Sequence, residues 1–190
     1  MSDDTAPVDR SDEVPTEEEM SVPPTEYVDI ASRRGYVGIG VYDSKFETNV
    51  GTLVRTAHAM GGTFVFTVGR RYEGDPSAVG QDRHIPVLNF ASVEALRDAM
   101  PAAANLLAVE LASGSRPLHT FVHPERAVYL LGAEDDGLPE SVLRDLPVLE
   151  VPSEWCLNVA TAGSLVLYDR LVKELDAEHH GPDVPDWWTR

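Results

Sequence analysis

Three stretches of this 190-residue sequence carry residues able to do chemistry. The first, Thr48 to Ala57, reads TNVGTLVRTA and sets Asn49, Gly51 and Arg55 within a few residues of one another. An Asn amide there can cap a helix or hold a ligand oxygen. Gly51 permits close backbone approach. Arg55 stands among apolar residues, where a guanidinium must pair, bind an anion or extend to solvent. The second, Leu130 to Leu143, reads LLGAEDDGLPESVL. Its Gly132 and Gly137 bracket Glu134, which suits a loop wrapped round a small ligand and equally suits a plain strand–turn–helix connection. The third, Val151 to Leu171, reads VPSEWCLNVATAGSLVLYDRL. Pro152 stiffens the exit from a strand, Cys156, Leu157 and Asn158 open a helix, and Asn158 can cap it or present its amide to a ligand. The small residues Ala160, Ala162 and Gly163 permit close helix packing.

Other chemistries leave no pattern. Gly38 and Gly40 lack the third glycine of the dinucleotide fingerprint, and no phosphate-loop GK[ST] occurs. The six histidines show no metal-ligand pattern, because His119 and His123 at i, i+4 have no second pair and no HExxH, so no metal is expected. Cys156 would need a positioned His to act as a nucleophile, and a small buried cysteine is the expectation.

The elements that must position these residues alternate between strand and helix. Tyr36–Tyr42, Thr63–Val68, Leu106–Leu111, Ala127–Leu131 and Val148–Val151 read as strands. Asn49–Met60 is apolar at helical spacing and is stopped by Gly61-Gly62. Ser92–Met100 is a helix with Ser92 as its cap, Pro139–Leu146 a helix with Pro in its first turn, and Leu157–Leu175 a long helix. This order predicts an α/β domain with a mainly parallel sheet and flanking helices. Ligands of such sheets bind outside the carboxyl ends of the strands, which is where all three chemical stretches fall.

Composition sets the surroundings. Apolar residues make up 43%, enough for a core, and a single cysteine excludes an internal disulfide. There is no run of about 18 apolar residues and no signal peptide at the start, so a soluble cytoplasmic protein with no membrane partner is expected. The 32 acidic and 15 basic residues give a net charge of −17, which argues against nucleic acid only if it is evenly spread. It is not. Residues 1–30 hold ten acidic residues and one basic, and with four prolines they read as a disordered acidic tail. The folded domain is expected over 31–175. A C-terminal tail, 176–190, follows, and its Trp187 and Trp188 suit docking on an apolar groove of this chain or of a second subunit. Within the domain, residues 31–88 carry seven basic and five acidic side chains.

Taken together, the three stretches resemble the motifs of the SpoU (TrmH) family of SPOUT RNA methyltransferases: NVGTLVRTA as motif 1, LLGAEDDGLP as motif 2 and CLNVATAGSLVLYDR as motif 3. The resemblance covers about residues 36–175. It implies an α/β sheet ending in a C-terminal trefoil knot, a homodimer with the site at the subunit interface, and methyl transfer from S-adenosylmethionine to RNA, usually a ribose 2′-hydroxyl of tRNA or rRNA. Carried over by motif, Asn49, Arg55, Glu134 and Asn158 fall at catalytic positions, with Arg55 orienting an RNA phosphate. Gly132, Gly137, Val151, Cys156, Leu157 and either Glu110 or Leu111 would line the methyl donor. A long loop, Gly69 to Pro86, offers Arg70, Arg71, Tyr72, Arg83 and His84 to RNA, the arginines for phosphates and the aromatic for stacking. Two departures stand out. Cys156 occupies a position that is usually Ser, and the stretch Ser153–Trp155 is shorter than is typical. The altered motif 3 loop and the acidic balance motivate an alternative: a protein of the same fold that binds RNA or ribosomes without catalysis.

Overall fold

Seven strands and four α-helices form along residues 35–179, which the computed structural model describes. The strands are β1 (Tyr36–Tyr42), β2 (Phe64–Val68), β3 (Val87–Phe90), β4 (Asn105–Val109), β5 (Arg116–Pro117), β6 (Arg126–Leu131) and β7 (Val148–Glu150). They form one sheet in the order β3-β2-β1-β6-β4-β7-β5, with every neighbouring pair parallel. The helices are α1 (Glu47–Ala59), α2 (Val93–Ala99), α3 (Glu140–Asp145) and α4 (Val159–His179). The expected acidic tail and the Trp187–Trp188 pair lie outside the described residues.

Successive side chains of a strand point to opposite faces, and each face of this sheet has its own helices. Ile39, Val41, Val109, Tyr129 and Leu131 meet Leu53, Val54 and Ala57 of α1 and Val166 and Leu167 of α4. Phe64, Phe66, Leu106, Ala108, Val128 and Leu130 meet Val93 and Leu96 of α2, with Val142 and Leu143 of α3 packed alongside. A strand covered on both faces has no polar side to show, which is why YVGIGVY and AVYLL read as unbroken apolar runs.

All the elements expected from the sequence form, with ends displaced by up to four residues. Two strands leave no such signal. In β3, Leu88 is exposed and Asn89 turns its side chain to accept from Thr67 and from the Tyr72 N–H, so no alternation develops. β5 is only two residues long and contains Pro117. The strand expected to reach Leu111 stops at Val109, and α4 runs four residues past the expected domain end at 175.

Polar anchors fix α4 beneath the sheet. Buried Arg170 donates to the carbonyls of Pro124 (2.6 Å) and Glu125 (3.0 Å), and Lys173 donates to those of Leu118 (2.7 Å) and Phe121 (3.0 Å). Asp169 meets the His123 ring at 2.8 Å. Gly163 lets α4 cross close to α1, because a Cβ there would stand 2.5 Å from Leu53 Cδ2.

Candidate active site

The carboxyl ends of β1, β6 and β7 bring the three motif segments together through one chain of hydrogen bonds. Glu134, just after β6, accepts from Ser44 Oγ (2.9 Å), from the Lys45 N–H (3.0 Å) and from Asn49 Nδ2 (2.7 Å). Asn49 Oδ1 accepts from Asn158 Nδ2 at 3.0 Å. Asn158 Oδ1 in turn accepts from the N–H groups of Ala160 (2.9 Å) and Thr161 (3.2 Å) and caps α4. The chemistry fixes both amide orientations. A carboxylate only accepts, so Asn49 must offer nitrogen to Glu134 and oxygen to Asn158, and backbone N–H groups only donate, so Asn158 must offer them oxygen. Each amide keeps one N–H outside this relay. Burial tends to raise the Glu134 pKa, but the hydrogen bonds from Lys45, Asn49 and Ser44 outweigh it and hold the carboxyl below its ordinary range. Glu134 is therefore an ionised brace at neutral pH.

Beside the relay lies a cavity of about 700 Å³. Glu110, Leu111, Gly132, Gly137, Val151, Cys156 and Leu157, the residues expected to line a donor, all line it, as do Asn49, Glu134 and Asn158. The motif 2 loop closes on itself through an Ala133–Gly137 bridge, with Gly137 at φ +63°. Glu110 folds its carboxylate against that loop and accepts from the Leu138 N–H at 3.2 Å. A Cβ on Gly132 would lie 2.3 Å from Glu110 Oε2 and 2.7 Å from Gly137 Cα, so only glycine leaves the space. Leu111 and Leu157, each about two-fifths exposed, present apolar surface at the cavity.

Several expectations change here. Asn49 does not cap α1, which starts two residues earlier with Phe46 as its N-cap residue; the buried Asn49 side chain serves the relay instead. Gly51 makes room for another part of the chain, since a Cβ there would stand 2.2 Å from Ser77 Oγ and 3.0 Å from the Ala78 nitrogen. Cys156 is exposed rather than buried, because it precedes α4 on the loop at the cavity. Tyr72 is only 8% exposed and its hydroxyl accepts from the Asp75 N–H, so its ring is not free to stack on a base. Arg55 stands apart from the relay. Six residues after Asn49 on α1, it is about 9 Å further along the axis and roughly 120° round it, exposed and without an ion pair to any described residue.

The segment 69–86 is anchored rather than loose. It contains single 3₁₀ turns at Pro76–Ala78 and Gln81–Arg83, and its Ala78 and Ile85 are buried against the core. Arg70, Arg71, Arg83 and His84 remain exposed. The His84 ring stacks on His58 of α1 at 5.7 Å, and His58 is one turn beyond Arg55, so the two exposed basic groups share one side of the molecule. Ser44, Lys45 and Phe46 belong to the site without having been expected there. Their position just after β1 was the available signal, since their residue types carry none.

A parallel sheet covered by helices on both faces, with a cavity at its carboxyl edge, defines an α/β protein of the doubly covered kind. The chain belongs to the SpoU rRNA Methylase family, whose model matches residues 37–168. It is 24% identical over 139 residues to mouse (Mus musculus) tRNA (guanosine(18)-2'-O)-methyltransferase TARBP1, a match covering 67% of this chain and 9% of that one. The chain thus spans about a tenth of that curated relative. Among solved structures, one that addresses the 2-OH methylation of C/U34 on tRNA superposes with a TM-score of 0.68 and 25% identity, covering 76% of this chain and 99% of the other. The AdoMet-bound rRNA methyltransferase from Sinorhizobium meliloti gives 0.65 and 25%, covering 75% and 57%. The observed sheet is consistent with the knotted fold expected from the motifs.

Proposed function

We propose that this chain is an S-adenosylmethionine-dependent RNA methyltransferase that methylates a ribose 2′-hydroxyl of tRNA or rRNA, working as a cytoplasmic homodimer. The observation that carries the reading is the relay Glu134–Asn49–Asn158, which ties the three motif segments together beside the cavity. The names of the similar proteins, two concerned with ribose methylation of tRNA and one AdoMet-bound, support it.

The residues present fit the donor. The cavity is of ligand size, Glu110 offers a carboxylate able to accept from hydroxyls, and Glu134, Asp135 and Asp136 outnumber Lys45, which pairs with Asp135, so the rim favours a cationic group. Leu111 and Leu157 offer apolar walls to a flat ring. Bound there, S-adenosylmethionine supplies an electrophilic methyl on a sulfonium. The chain's own residues then have to bring in a ribose hydroxyl and help it lose a proton. A free hydroxyl is a poor nucleophile, so it has to be oriented and its developing alkoxide stabilised. A guanidinium carries N–H donors and no acceptor, so Arg55 acts by electrostatic positioning through an RNA phosphate and not as a base. Asn49 and Asn158, held by Glu134, direct their remaining N–H groups without reorganising, so alignment carries much of the rate. The outward face of α4, with exposed Leu165 and Tyr168 at i, i+3, supports the dimer.

The test is transfer of labelled methyl from S-adenosylmethionine to total RNA from cells lacking the protein, with the modified ribose located by mass spectrometry. Arg55→Ala is expected to abolish transfer while calorimetric binding of S-adenosylmethionine survives. Full activity of that variant would remove Arg55 from the mechanism. The binding-only alternative draws on exposed Cys156 and the short loop before it; absence of calorimetric binding at millimolar S-adenosylmethionine would favour it.

A further inference from the structure

Phe46 is 59% exposed, yet the backbone that carries its ring is hydrogen-bonded into the site. Its carbonyl accepts from the Asn49 N–H at 3.0 Å at the start of α1, and from Ser44 Oγ at 3.3 Å. The same Ser44 hydroxyl reaches Glu134, and Asn49 is the middle member of the relay. The backbone that carries the Phe46 ring is thereby tied to the groups proposed to act on the ribose, and the residue lines the cavity beside them. No ring contact within the described residues covers it. A second exposed aromatic, Trp155, stands 78% exposed on the loop before α4, three residues before Asn158.

A nucleotide cannot present its 2′-hydroxyl to this site without its base, because the base is bonded to C1′, the carbon next to C2′. The base must therefore rest against whatever side chains border the relay. An unpaired base gains most from a flat aromatic surface, which suits all four bases and needs no hydrogen-bond code.

We infer that Phe46 is a positioning residue for the reaction: its ring stacks on the base of the nucleotide being methylated and sets that nucleotide's ribose against Asn49 and Asn158. This rests on the ribose-methylation reading above. It assigns to Phe46 the base-stacking role that the sequence suggested for Tyr72, whose ring is buried.

The test uses the full chain, S-adenosylmethionine and total RNA from cells lacking the protein. Phe46→Ala is expected to raise KM for RNA by on the order of tenfold, with a smaller change in kcat. Phe46→Tyr and Phe46→Trp should restore KM, whereas Phe46→Leu, which keeps apolar bulk but no ring face, should not. The thermal midpoint should stay as in the unaltered chain for Phe46→Leu, and a loss of calorimetric S-adenosylmethionine affinity as large as the rise in KM for RNA overturns the inference, because the ring would then be a wall of the donor cavity. An unchanged KM in Phe46→Ala, full rescue by Phe46→Leu, or a changed oligomeric state in either variant overturns the inference, the last because it would make the ring a subunit contact. If the unaltered chain methylates no RNA, the parent reading fails and this one falls with it; failure of the Phe46 variants alone leaves the parent reading intact.

Discussion

Glu134 shows how one residue can be chemical in type and structural in role. A carboxylate lining a cavity invites assignment as a general base, but three donors hold it ionised and its pKa low. Removing it leaves the buried Asn49 Nδ2 without its acceptor and Ser44 with only the Phe46 carbonyl, so Glu134→Ala should lower the unfolding free energy by about 1–3 kcal/mol at neutral pH, read by urea denaturation. The pH dependence has a definite sign. A carboxyl whose folded pKa is depressed stabilises the protein above its unfolded pKa, about 4.3, and that contribution is lost as pH falls through the folded value. Between pH 7 and pH 3 the unaltered chain should therefore lose more stability than Glu134→Gln. Equal losses would detach the carboxylate's charge from the relay. Asn49, Glu134 and Asn158 were each visible as candidates in the sequence. Their mutual contacts, at sequence separations of 85 and 109 residues, were not.

At the scale of elements, the site depends on how α1 and α4 cross. Asn49 is on α1 and Asn158 caps α4, so their 3.0 Å contact requires the two helices to hold one spacing. Gly163 permits it, since the fully buried Leu53 and Ile39 already occupy the space a side chain would need. Gly163→Val is expected to cost about 1–3 kcal/mol by overpacking, and to weaken S-adenosylmethionine binding as Asn158 is displaced. Thermal unfolding and calorimetry check the two effects, and a stable variant with normal binding would show that the crossing has slack. The sequence pattern of small residues at 160, 162 and 163 announced close packing here. It did not announce that a 3₁₀ turn would fill the space beside Gly51, because that contact joins residues 26 or more apart through an irregular segment.

Across the whole molecule, charge is segregated. The net −17 looks hostile to RNA, but residues 1–30 hold ten of the 32 acidic residues and one basic. The exposed Arg55, Arg70, Arg71, Arg83 and His84 all come from the mildly basic stretch 31–88. Removing residues 1–30 should raise affinity for total tRNA severalfold near 0.05 M salt, and the gain should vanish towards 1 M, where the screening length falls to about 3 Å. Filter binding across a salt series measures it; equal affinities at low salt would make the acidic segment a bystander.

The sequence by itself determined the layered α/β class, the place of the three motif stretches at the carboxyl ends of the strands, and the family, because hydrophobic periodicity and three contiguous motifs are local properties. Only the tertiary structure decided which candidates come together. It joined Asn49, Glu134 and Asn158 into a relay, set Arg55 on a separate face of α1, buried Tyr72, exposed Cys156 and brought Phe46 to the site. Each of those outcomes depends on contacts between distant segments, and a residue's type does not fix which distant neighbour it will meet.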